Sequence, residues 1–386
     1  MTTRRRFIQL TSASMLGLGL HGLSAADSHA GKSGGLNILI LGGTGFIGPH
    51  MVRRARERGH TVTLFNRGRT NTDLFPDVET LVGDRDSQLQ ALEGRKWDAV
   101  IDNSGYVPRH VRESAGLLSE AARQYLFISS ISAYGNFEQP GIDEDYVLGT
   151  MEDESVEQVT GATYGPMKAL CEKAAEEAFP GRATIVRPGY IVGPRDSTDR
   201  WTYWPLRVAR GGTVVVPGTP DDPVQFIDAR DLAAFTIHAL ENNITGRFNA
   251  VGPGEPMTMG AMLDAMKEIT ESDAGFQWVP AETLTEKNAF FPIWASPEGD
   301  TTGVHLVSNK AAVAAGMTFR PLAETVKDTL AWWDGLETER QSAMRSGLRV
   351  LDGPPEGMRP APVSLEQQME MEAKLVEELW SSPAEG

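Results

Sequence analysis

A short apolar run that leads into a glycine cluster and then into an amphipathic stretch is the feature that most constrains this sequence. Residues 36–41 read Leu-Asn-Ile-Leu-Ile-Leu and are followed at once by Gly42-Gly43. A nearly unbroken apolar run of this length predicts a parallel strand that is covered on both faces. Residues 49–59 then place apolar and charged side chains on opposite sides of a predicted helix that ends at Gly59. The chain therefore begins an α/β unit.

The glycine cluster has the spacing of a dinucleotide-binding turn. Gly42 permits a tight turn, Gly45 lets the backbone approach a pyrophosphate, and Gly48 lets the helix pack closely on the strand. Phosphate would rest on the helix N-terminus, where free N–H groups and the helix dipole favour negative charge. Thr44, Phe46 and Ile47 complete the predicted binding loop. The alternative is a simple glycine turn, but the position between a strand and a helix favours the binding site.

Further apolar runs alternate with helical stretches as far as residue 190. Runs at 61–65, 80–82, 99–102, 125–129 and 184–186 predict strands, with helices at 111–122 and 164–178. This alternation predicts an α/β fold, a Rossmann-type doubly wound parallel sheet, with a smaller, mixed α/β substrate-binding region at the C-terminal side. The predicted organisation is a signal peptide at 1–30, a dinucleotide-binding domain at 35–190, a substrate-binding region at 191–340 and a C-terminal extension at 341–386 with a terminal helix.

Several elements are predicted after residue 190. Residues 211–223 favour a hairpin or a bent strand, and a helix over 229–241 is expected with Asp228 as its cap. A second helix is expected over 257–270, a packed loop near a pocket over 284–303, and a helix over 322–333. The stretch 364–380 predicts a polar helix with an apolar stripe of Met369, Leu375, Leu379 and Trp380. Prolines 354, 355, 360 and 362 predict a turn-rich connector before it.

Coenzyme choice is expected to depend on the end of the second strand. An acidic residue about 20 positions after the glycines would bind a ribose 2′-hydroxyl, but the chain has Asn66, Arg67 and Arg69 here and no carboxylate. A guanidinium is a bidentate phosphate donor, so Arg67, with or without Arg69, would suit the 2′-phosphate of NADP. NADP is therefore favoured, and the alternative is NAD bound through Asn66, with both arginines solvated.

Tyr164 and Lys168 are four positions apart, on one face of a helix expected to begin near Pro166. A tyrosine with a pKa of about 10 is a poor base at neutral pH, and a nearby positive charge favours its phenolate. The spacing therefore predicts that Lys168 lowers the pKa of Tyr164 so that this phenol transfers a proton.

Three segments carry a resemblance to a known family. Residues 129–135 read Ser-Ser-Ile-Ser-Ala-Tyr-Gly, residues 186–195 read Val-Arg-Pro-Gly-Tyr-Ile-Val-Gly-Pro-Arg, and residues 225–232 read Gln-Phe-Ile-Asp-Ala-Arg-Asp-Leu. With the Gly-x-x-Gly-x-x-Gly turn and Tyr-x-x-x-Lys, the chain over 36–335 resembles the extended short-chain dehydrogenases of the NAD-dependent epimerase/dehydratase type. The resemblance implies a catalytic hydroxyl at Ser130, a bond from Lys168 to the nicotinamide ribose, and a homodimer formed through a helix pair. It also implies cofactor contacts at Asp84, Arg85, Asn103 and Ser104.

One departure from the family concerns the substrate. The second half has no clear set of residues for clamping uridine or phosphate, so a nucleotide sugar is not assumed, and a small sugar or polyol is expected. Arg195, Arg200 and Arg207 fit surface positions as well as substrate contacts. Tyr106, Tyr190 and Trp204 fit either the lining of a pocket or the packed core.

The first thirty residues predict an export signal. Arg4, Arg5 and Arg6 precede Phe7, then come an apolar run from Leu10 to Leu23 and small residues up to Ala30. This order resembles a twin-arginine signal, with cleavage after Ala25, Ala26 or Ala30, and the apolar run is too short to cross a bilayer. A periplasmic or extracytoplasmic protein without stable membrane insertion is expected, and the alternative is a disordered basic tail.

Charge and residue usage limit the remaining possibilities. The formal net charge of −16 disfavours nucleic acid as a partner. The single cysteine, Cys171, cannot form an intramolecular disulfide, and the seven histidines show no metal-ligand spacing. Three functions remain: a redox-neutral epimerase or dehydratase, a reductase or dehydrogenase with net turnover, and a non-catalytic binding protein. Export favours the first, because a retained cofactor that is regenerated in each turnover needs no external pool.

Overall fold

Seven parallel strands form the central sheet of this computed structural model, which describes residues 34–350 and 361–380. They are β1 (Asn37–Leu41), β2 (Thr61–Asn66), β3 (Glu79–Val82), β4 (Trp97–Asp102), β5 (Ala122–Ile128), β6 (Ala183–Pro188) and β10 (Gly246–Ala250). Their order across the sheet is β10-β6-β5-β4-β1-β2-β3, and each neighbouring pair is parallel. The predicted doubly wound parallel sheet is confirmed.

Helices cover both faces of this sheet. They are α1 (Gly48–Glu57), α2 (Pro108–Leu118), α3 (Gly161–Ala178) and α5 (Ala229–Glu241). The side chains of β1 alternate between the faces: Ile38 and Ile40 pack in one apolar cluster with residues of α1 and α5, whereas Leu39 and Leu41 pack in another with residues of α2 and α3. Burial on both faces explains why β1 is an apolar run rather than an alternating one.

The strand order reverses between β1 and β4. Leu41 pairs with Phe65 on one side and with Asp102 on the other, so the chain leaves all three strands at the same edge. Gly42, Asn66 and Asn103 are the residues at or just beyond these ends. In open α/β sheets, ligands bind in the crevice at such a reversal. Three of the predicted cofactor residues are thereby brought to one place in the fold.

A second region has two smaller sheets. Strands β7 (Tyr190–Val192), β9 (Pro223–Asp228) and β11 (Gly252–Thr258) form one, and β8 (Thr213–Pro217) pairs in parallel with β12 (Gly275–Val279). The expected hairpin does not form, since β8 and β9 belong to different sheets. Val214, Val215 and Val216 are all fully buried, which requires a covered position for β8. The remaining short elements here are α4 (Tyr203–Ala209), α6 (Met259–Thr270), α7 (Ala281–Glu286), β13 (Ala289–Phe290), α8 (Lys310–Ala314) and α9 (Leu322–Asp334).

The two regions are not successive in the chain. Strand β10 adds to the edge of the central sheet beside β6, and α5 packs on α1 across its face. Asp228 caps α5 as predicted, its side chain accepting a hydrogen bond from the backbone N–H of Arg230 at 2.8 Å. This differs from the division at residue 190, because the central sheet needs β10 and α5 to cover one edge and one face.

The C-terminal extension packs into the second region. Helix α10 (Thr338–Gln341) leads into the extension, which contains β14 (Arg349–Val350) and α11 (Leu365–Trp380). Strand β14 forms a further small sheet by antiparallel pairing with β13. Glu372 of α11 is buried against Arg207 of α4, with Nε–Oε2 at 2.9 Å, and accepts a hydrogen bond from the hydroxyl of Tyr203 at 2.7 Å. The buried stripe of α11 carries Gln368, Glu372 and Leu375, whereas Met369 is only half-buried. The expected apolar stripe is therefore partly polar, because α11 covers an arginine.

Two sequence-based predictions fall outside the described residues. The signal peptide with its cleavage positions lies in residues 1–33, and most of the proline connector lies in residues 351–360. Across the described part of the chain, no helix has both the length and the apolar character needed to cross a membrane.

Candidate active site

The loop between β1 and α1 has the geometry of a phosphate-binding turn. Gly42 adopts a φ of +111°, which favours glycine. A Cβ at Gly48 would lie 2.5 Å from Cα of Gly43, so the helix packs on the turn only because residue 48 is glycine. A Cβ at Gly45 would meet nothing within 4 Å, so this residue faces open space. Helix α1 has no side-chain cap and no acidic residue in its first turn. Its N-terminal N–H groups thus fit a bound pyrophosphate.

Polar residues follow the strands beside this loop. The side chain of Asn66 turns back on its own loop, where Oδ1 accepts a hydrogen bond from the N–H of Gly68 at 2.8 Å. Arg67 is exposed, and neither it nor Arg69 forms an ion pair with another described residue. Ser104 donates from Oγ to the carbonyl of Leu41 at 3.0 Å, which places the segment after β4 against the end of β1.

The loop after β3 differs from its predicted role at one residue. Arg85 is buried, and its guanidinium donates to both carboxylate oxygens of Asp102, at 2.5 and 2.7 Å, and to Ser114 at 2.7 Å. Its charge is therefore directed into the sheet and away from a ligand, because Asp102 is fully buried and needs a partner. We assign Arg85 to holding β3 and β4 together. Asp84 is half-buried beside it, and its contact with the cofactor stays a prediction.

Helix α3, which carries Tyr164 and Lys168, begins at Gly161, three residues before the predicted stretch 164–178, with Pro166 inside it. Thr160 caps the helix: its side chain accepts from the N–H of Thr163 at 3.2 Å, while Thr163 Oγ1 accepts from the N–H of Thr160 at 2.9 Å. This reciprocal cap satisfies the first turn and fixes the start of the helix.

Gly165 lets α3 approach the serine segment closely. A Cβ at this position would lie 2.1 Å from the carbonyl oxygen of Ser132. Any larger residue would push the helix away, so the close approach depends on glycine. It brings Tyr164, the preceding residue, against Ser130, and both side chains line one cavity. The sequence-based prediction for Ser130 and Tyr164 used their residue types and spacing and missed the role of Gly165. A glycine directly after the tyrosine was the available signal for a close approach of the helix.

The phenol of Tyr164 differs electrostatically from the prediction. Burial raises its pKa, while the hydroxyl of Ser130 and the charge of Arg200 act in the opposite direction. The expected lowering by Lys168 is not seen. The chain alone thus holds the phenol protonated at neutral pH, with Ser130 as its hydrogen-bonding neighbour.

Lys168 is instead tied to the backbone at the sheet edge. Its Nζ donates to the carbonyl of Gly105 at 2.8 Å and to that of Ile128 at 2.7 Å, and it lies 4.2 Å from the ring centroid of Phe127. Burial lowers the pKa of this ammonium to about 8. The ammonium of Lys168 thus lies at the ends of β4 and β5 and has one more N–H to donate, so it fits a contact with a cofactor bound along this edge.

A buried network behind the serine segment was not predicted from the sequence. Glu172, one turn beyond Lys168 on α3, accepts a hydrogen bond from Ser129 at 2.5 Å and two from Arg187, at 2.9 and 2.7 Å. Arg187 also donates to the hydroxyl of Tyr134 at 3.0 Å. The network ties α3, β6 and the serine segment together. The Arg-Pro dipeptide at 187–188 was the available signal, since an arginine in a buried strand needs a carboxylate partner.

The cavity that contains Ser130 and Tyr164 has a volume of about 1140 Å³. Its wall continues into the second region with Tyr190 and Arg200 and reaches the C-terminal extension at Arg345. Val304, the residue after the predicted packed loop, also lines the cavity, whereas no residue of 284–303 does. Sequence reasoning missed Arg345, because nothing in the motif pattern shows that the extension folds back onto this cavity.

The structure separates the other ambiguous residues. Tyr190 lines the cavity, whereas Trp204 is fully buried and donates to the carbonyl of Pro292 at 2.9 Å. Tyr106 is 49 % exposed, with its ring centroid 6.4 Å from that of Tyr164. Arg207 is a core residue paired with Glu372, and Arg195 is half-buried beside α1.

No cluster of three or more metal-ligating side chains occurs in residues 34–350 and 361–380. Cys171 is buried under the sheet, and burial raises the pKa of its thiol to about 12, so it is neither a ligand nor a nucleophile at neutral pH. The polar chemistry of the cavity therefore rests on the hydroxyls of Ser130 and Tyr164 and on the cationic side chains around them.

Comparisons with known proteins were made on this fold and site. Residues 38–252, more than half of the chain, match the model of the NAD dependent epimerase/dehydratase family. The chain is 28 % identical over 244 residues to the chloroplast stem-loop binding protein of 41 kDa b from Arabidopsis thaliana, a match that covers 56 % of this chain and 58 % of that protein. The chain thus spans just over half the length of this relative.

Solved structures show the same fold. The enzyme WbmG of Bordetella bronchiseptica, solved in complex with NAD and UDP, superposes with a TM-score of 0.60 at 18 % identity, covering 79 % of this chain and 96 % of that one. The human epimerase family protein SDR39U1, solved with NADPH, gives a TM-score of 0.52 at 21 % identity, covering 78 % of this chain and 100 % of that one.

Proposed function

Because the chain belongs to the NAD-dependent epimerase/dehydratase family and is an NAD(P)-dependent enzyme, we propose that it acts on a secondary alcohol of a sugar or polyol. The reaction is transient hydride transfer to a nicotinamide that stays bound. The observation that carries the proposal is the meeting of Ser130 and Tyr164 in one cavity, with Lys168 fixed at the adjoining sheet edge.

Each of these residues has a distinct task in such a reaction. The nicotinamide, when bound, supplies the hydride-accepting carbon. Ser130 orients the substrate hydroxyl by a hydrogen bond, and Tyr164 takes and returns the proton at its phenol oxygen. Because burial raises the pKa of Tyr164, proton removal by this phenol needs a positive charge close by, and the guanidinium of Arg200 opposes the effect of burial. Lys168, fixed at the sheet edge, would hold the nicotinamide ribose. Gly165 keeps the two hydroxyls in reach.

NADP is the coenzyme that we favour. The exposed guanidinium of Arg67 follows β2, at the place where a ribose 2′-substituent is recognised, and has no carboxylate partner in the described residues. Binding of NAD through Asn66 is the alternative. The two similar solved structures include one of each coenzyme type, since one was solved with NAD and the other with NADPH.

The reaction is proposed to be redox-neutral because the protein is proposed to be exported. Arg4, Arg5 and Arg6 precede an apolar run too short to span a bilayer, which supports a twin-arginine signal and an extracytoplasmic location. No pool recharges a dissociating nicotinamide there. Export is tested by replacing the three arginines with lysine, which should leave the protein inside the cell, whereas unchanged export would remove the argument for a closed cycle.

A net NADP-dependent reductase or dehydrogenase is the second candidate function, and the exposed Arg67, which would bind the 2′-phosphate of NADP, fits it as well. A non-catalytic binding protein is disfavoured by the assembled Ser130, Tyr164 and Lys168. The net charge of −16 also argues against a nucleic acid partner, although the Arabidopsis relative is named for stem-loop binding. A homodimer through the exposed faces of α2 and α3 is part of the proposal.

The experiment combines a cofactor assay with a single substitution. Small molecules released by denaturing the purified protein are identified by mass and absorbance, and the protein is then given a panel of aldoses and polyols without added coenzyme. Tyr164→Phe should lower turnover by a factor of about 10² to 10⁴, with cofactor content unchanged, because the substitution removes only the proton-transfer group.

Tyr146→Phe is the matched control, since its hydroxyl donates to Asn136 at 2.6 Å outside the cavity wall. It should leave turnover unchanged. If turnover needs a stoichiometric supply of free coenzyme, the closed cycle is wrong and the reductase or dehydrogenase takes its place. If Tyr164→Phe turns over like the control, the proposed role of Tyr164 is wrong.

A further inference from the structure

We propose that the substrate carries an anionic group, a carboxylate or a phosphate, and that Arg200 and Arg345 bind it. The inference rests on the proposed function for the hydride transfer at the alcohol end of the substrate. It adds to that function an anion-binding subsite and a class of substrate. Arg345 comes from the C-terminal extension, outside the segment that the family model covers.

The charge of the cavity wall is the first observation. Among the described residues that line the cavity, Arg200 and Arg345 are charged and no aspartate or glutamate occurs. The chain as a whole has 52 acidic against 36 basic side chains, so a wall of this composition stands out against an acidic protein. A cleft lined by one sign of charge raises the local concentration of ligands of the opposite sign. The cavity therefore favours an anion.

Both guanidinium groups have donors left for a ligand. Arg200 donates from Nε to the hydroxyl of Thr198 at 3.0 Å, and Arg345 donates from Nη1 to the carbonyl of Ser197 at 2.9 Å. Neither has a carboxylate partner within residues 34–350 and 361–380. Arg187 and Arg207, by contrast, are each paired with a buried glutamate. Unlike Arg187 and Arg207, the two cavity arginines form no ion pair within the described residues, so each can still bind an oxyanion.

The segment 196–199, which lies between Arg200 and the backbone of Arg345, is fixed by hydrogen bonds. Asp199 is fully buried and accepts a hydrogen bond from the backbone N–H of Arg345 at 2.9 Å, while its other oxygen pairs with Arg340. Asp196 accepts from the N–H of Thr198 at 2.9 Å. Asp199 itself has a φ of 57°, a conformation that costs free energy for a residue other than glycine. The surrounding bonds enforce it, which presents both arginines to the cavity in a fixed arrangement.

The subsite lies close to the reacting groups. Burial raises the pKa of both Tyr164 and Tyr190, and the charge of Arg200 opposes this rise at each phenol, so the guanidinium acts on the group that is to transfer the proton. Its carbon atom Cζ lies 5.5 Å from the ring centroid of Tyr190, which also lines the cavity. An anionic group held there lies in the same cavity as Tyr164. This favours a sugar acid or a sugar phosphate.

The test measures binding and does not depend on turnover. Glucuronate, glucose 6-phosphate and glucose are titrated calorimetrically into the full-length protein at low ionic strength. The wild type should bind one of the two anions at least tenfold more tightly than glucose, and added salt should weaken that preference. The two anions distinguish a carboxylate from a phosphate site.

Substitutions locate the subsite. Arg200→Gln and Arg345→Gln should each weaken binding of the preferred anion by roughly tenfold and leave glucose binding unchanged, because each removes one charge-assisted contact. Both side chains are exposed, and the backbone bond from Arg345 to Asp199 remains, so both variants should fold. Arg112→Gln on the exposed side of α2 makes the same charge change away from the cavity and should have no effect.

The result separates this inference from the proposed function. Equal binding of glucose and both anions, or equal weakening by all three substitutions, would overturn the anion subsite even if the protein performs hydride transfer. Anion binding that depends on Arg200 and Arg345 in a protein that shows no nicotinamide chemistry would support the subsite and refute the proposed function.

Discussion

The cofactor edge and the substrate cavity are built in opposite ways. At the cofactor edge, each residue follows its own strand, and parallel pairing brings Gly42, Asn66 and Asn103 together. The substrate cavity is assembled from segments far apart in the chain, among them Arg200, Val304 and Arg345. The sheet fixes the first site by topology alone, whereas the second depends on side-chain contacts that hold an extension in place.

Two buried ion pairs show this difference. Arg187–Glu172 joins α3 to β6 behind the serine segment, and Arg207–Glu372 joins α4 to the C-terminal helix α11. Both glutamates are almost fully buried, at 1 % and 2 % exposed. The pairs are thus alike in chemistry, but one supports reacting groups and the other supports a piece of the cavity wall.

The largest predicted effect comes from breaking these pairs. Glu172→Gln and Glu372→Gln should each lower the free energy of unfolding by about 3–5 kcal/mol, because each leaves an arginine charge buried without its partner. Their functional effects should differ. Glu172→Gln should lower turnover by releasing Ser129, whereas Glu372→Gln should weaken substrate binding by loosening the extension that carries Arg345. Urea unfolding and steady-state kinetics measure the two effects.

Glu176→Gln is the control for this comparison. Glu176 pairs with Arg247 at 2.8 Å, but the side chains are 33 % and 41 % exposed. An exposed pair of this kind contributes about 0–1 kcal/mol. If Glu172→Gln and Glu372→Gln change kcat and KM in the same way, the division into a reacting and a wall-supporting pair fails.

The same contrast explains what the sequence could and could not predict. The strand ends after Leu41, Phe65 and Asp102 were predictable, because apolar runs mark parallel strands and glycines mark the turn. The start of α3 at Gly161 was missed, since the capping pair Thr160 and Thr163 lies upstream of the conspicuous motif. Local propensity and periodicity depend on neighbouring residues. They therefore predict the cofactor edge but not the substrate cavity, whose parts are far apart in the chain.

Arg85 and Arg345 show the limit from both sides. Arg85 was expected at the cofactor and is buried against Asp102, and Arg345 was not expected anywhere and lines the cavity. Both roles depend on a partner remote in sequence, and no spacing rule connects residue 345 with Asp199. Charged residues are informative in sequence only when their partners are near.

A second prediction compares two buried histidines. His50 lies on α1 at the cofactor edge, and His305 lies beside Tyr190 in the second region; burial lowers the pKa of each to about 4. In the unfolded chain both titrate near 6.5, so the unfolded state binds more protons between these values. The free energy of unfolding should therefore fall as the pH drops from 6.5 towards 4, by up to about 1.4 kcal/mol per pH unit for each histidine.

His50→Gln and His305→Gln should each make this slope shallower. Asp228 near His50 and Asp222 near His305 raise the histidine pKa values in part, and carboxylates titrate in the same range. The difference between variant and wild type is therefore the quantity to measure, by urea unfolding at several pH values. Removing His238, which is half-buried on α5, provides the control. A slope unchanged by either buried histidine would show that carboxylates alone set the acid sensitivity.

The smallest predicted effect concerns the cofactor edge alone. Arg67 is exposed, so Arg67→Ala should remove one solvent-accessible phosphate contact, worth about 1.5 kcal/mol, at the low end for a hydrogen bond to a charged group. NADP binding should weaken about tenfold and NAD binding should stay the same, because NAD has no 2′-phosphate. Arg112→Ala, on the exposed side of α2, should change neither. Titration of both coenzymes into cofactor-free protein measures the ratio of the two affinities.

The same variant also tests whether the cofactor edge and the substrate cavity are independent. A residue positioned by the end of a strand should act on one ligand group without disturbing the substrate cavity, so the affinity for glucuronate or glucose 6-phosphate should be unchanged. Equal weakening of NAD and NADP would show that Arg67 only shapes the loop, and coenzyme recognition would then pass to Asn66.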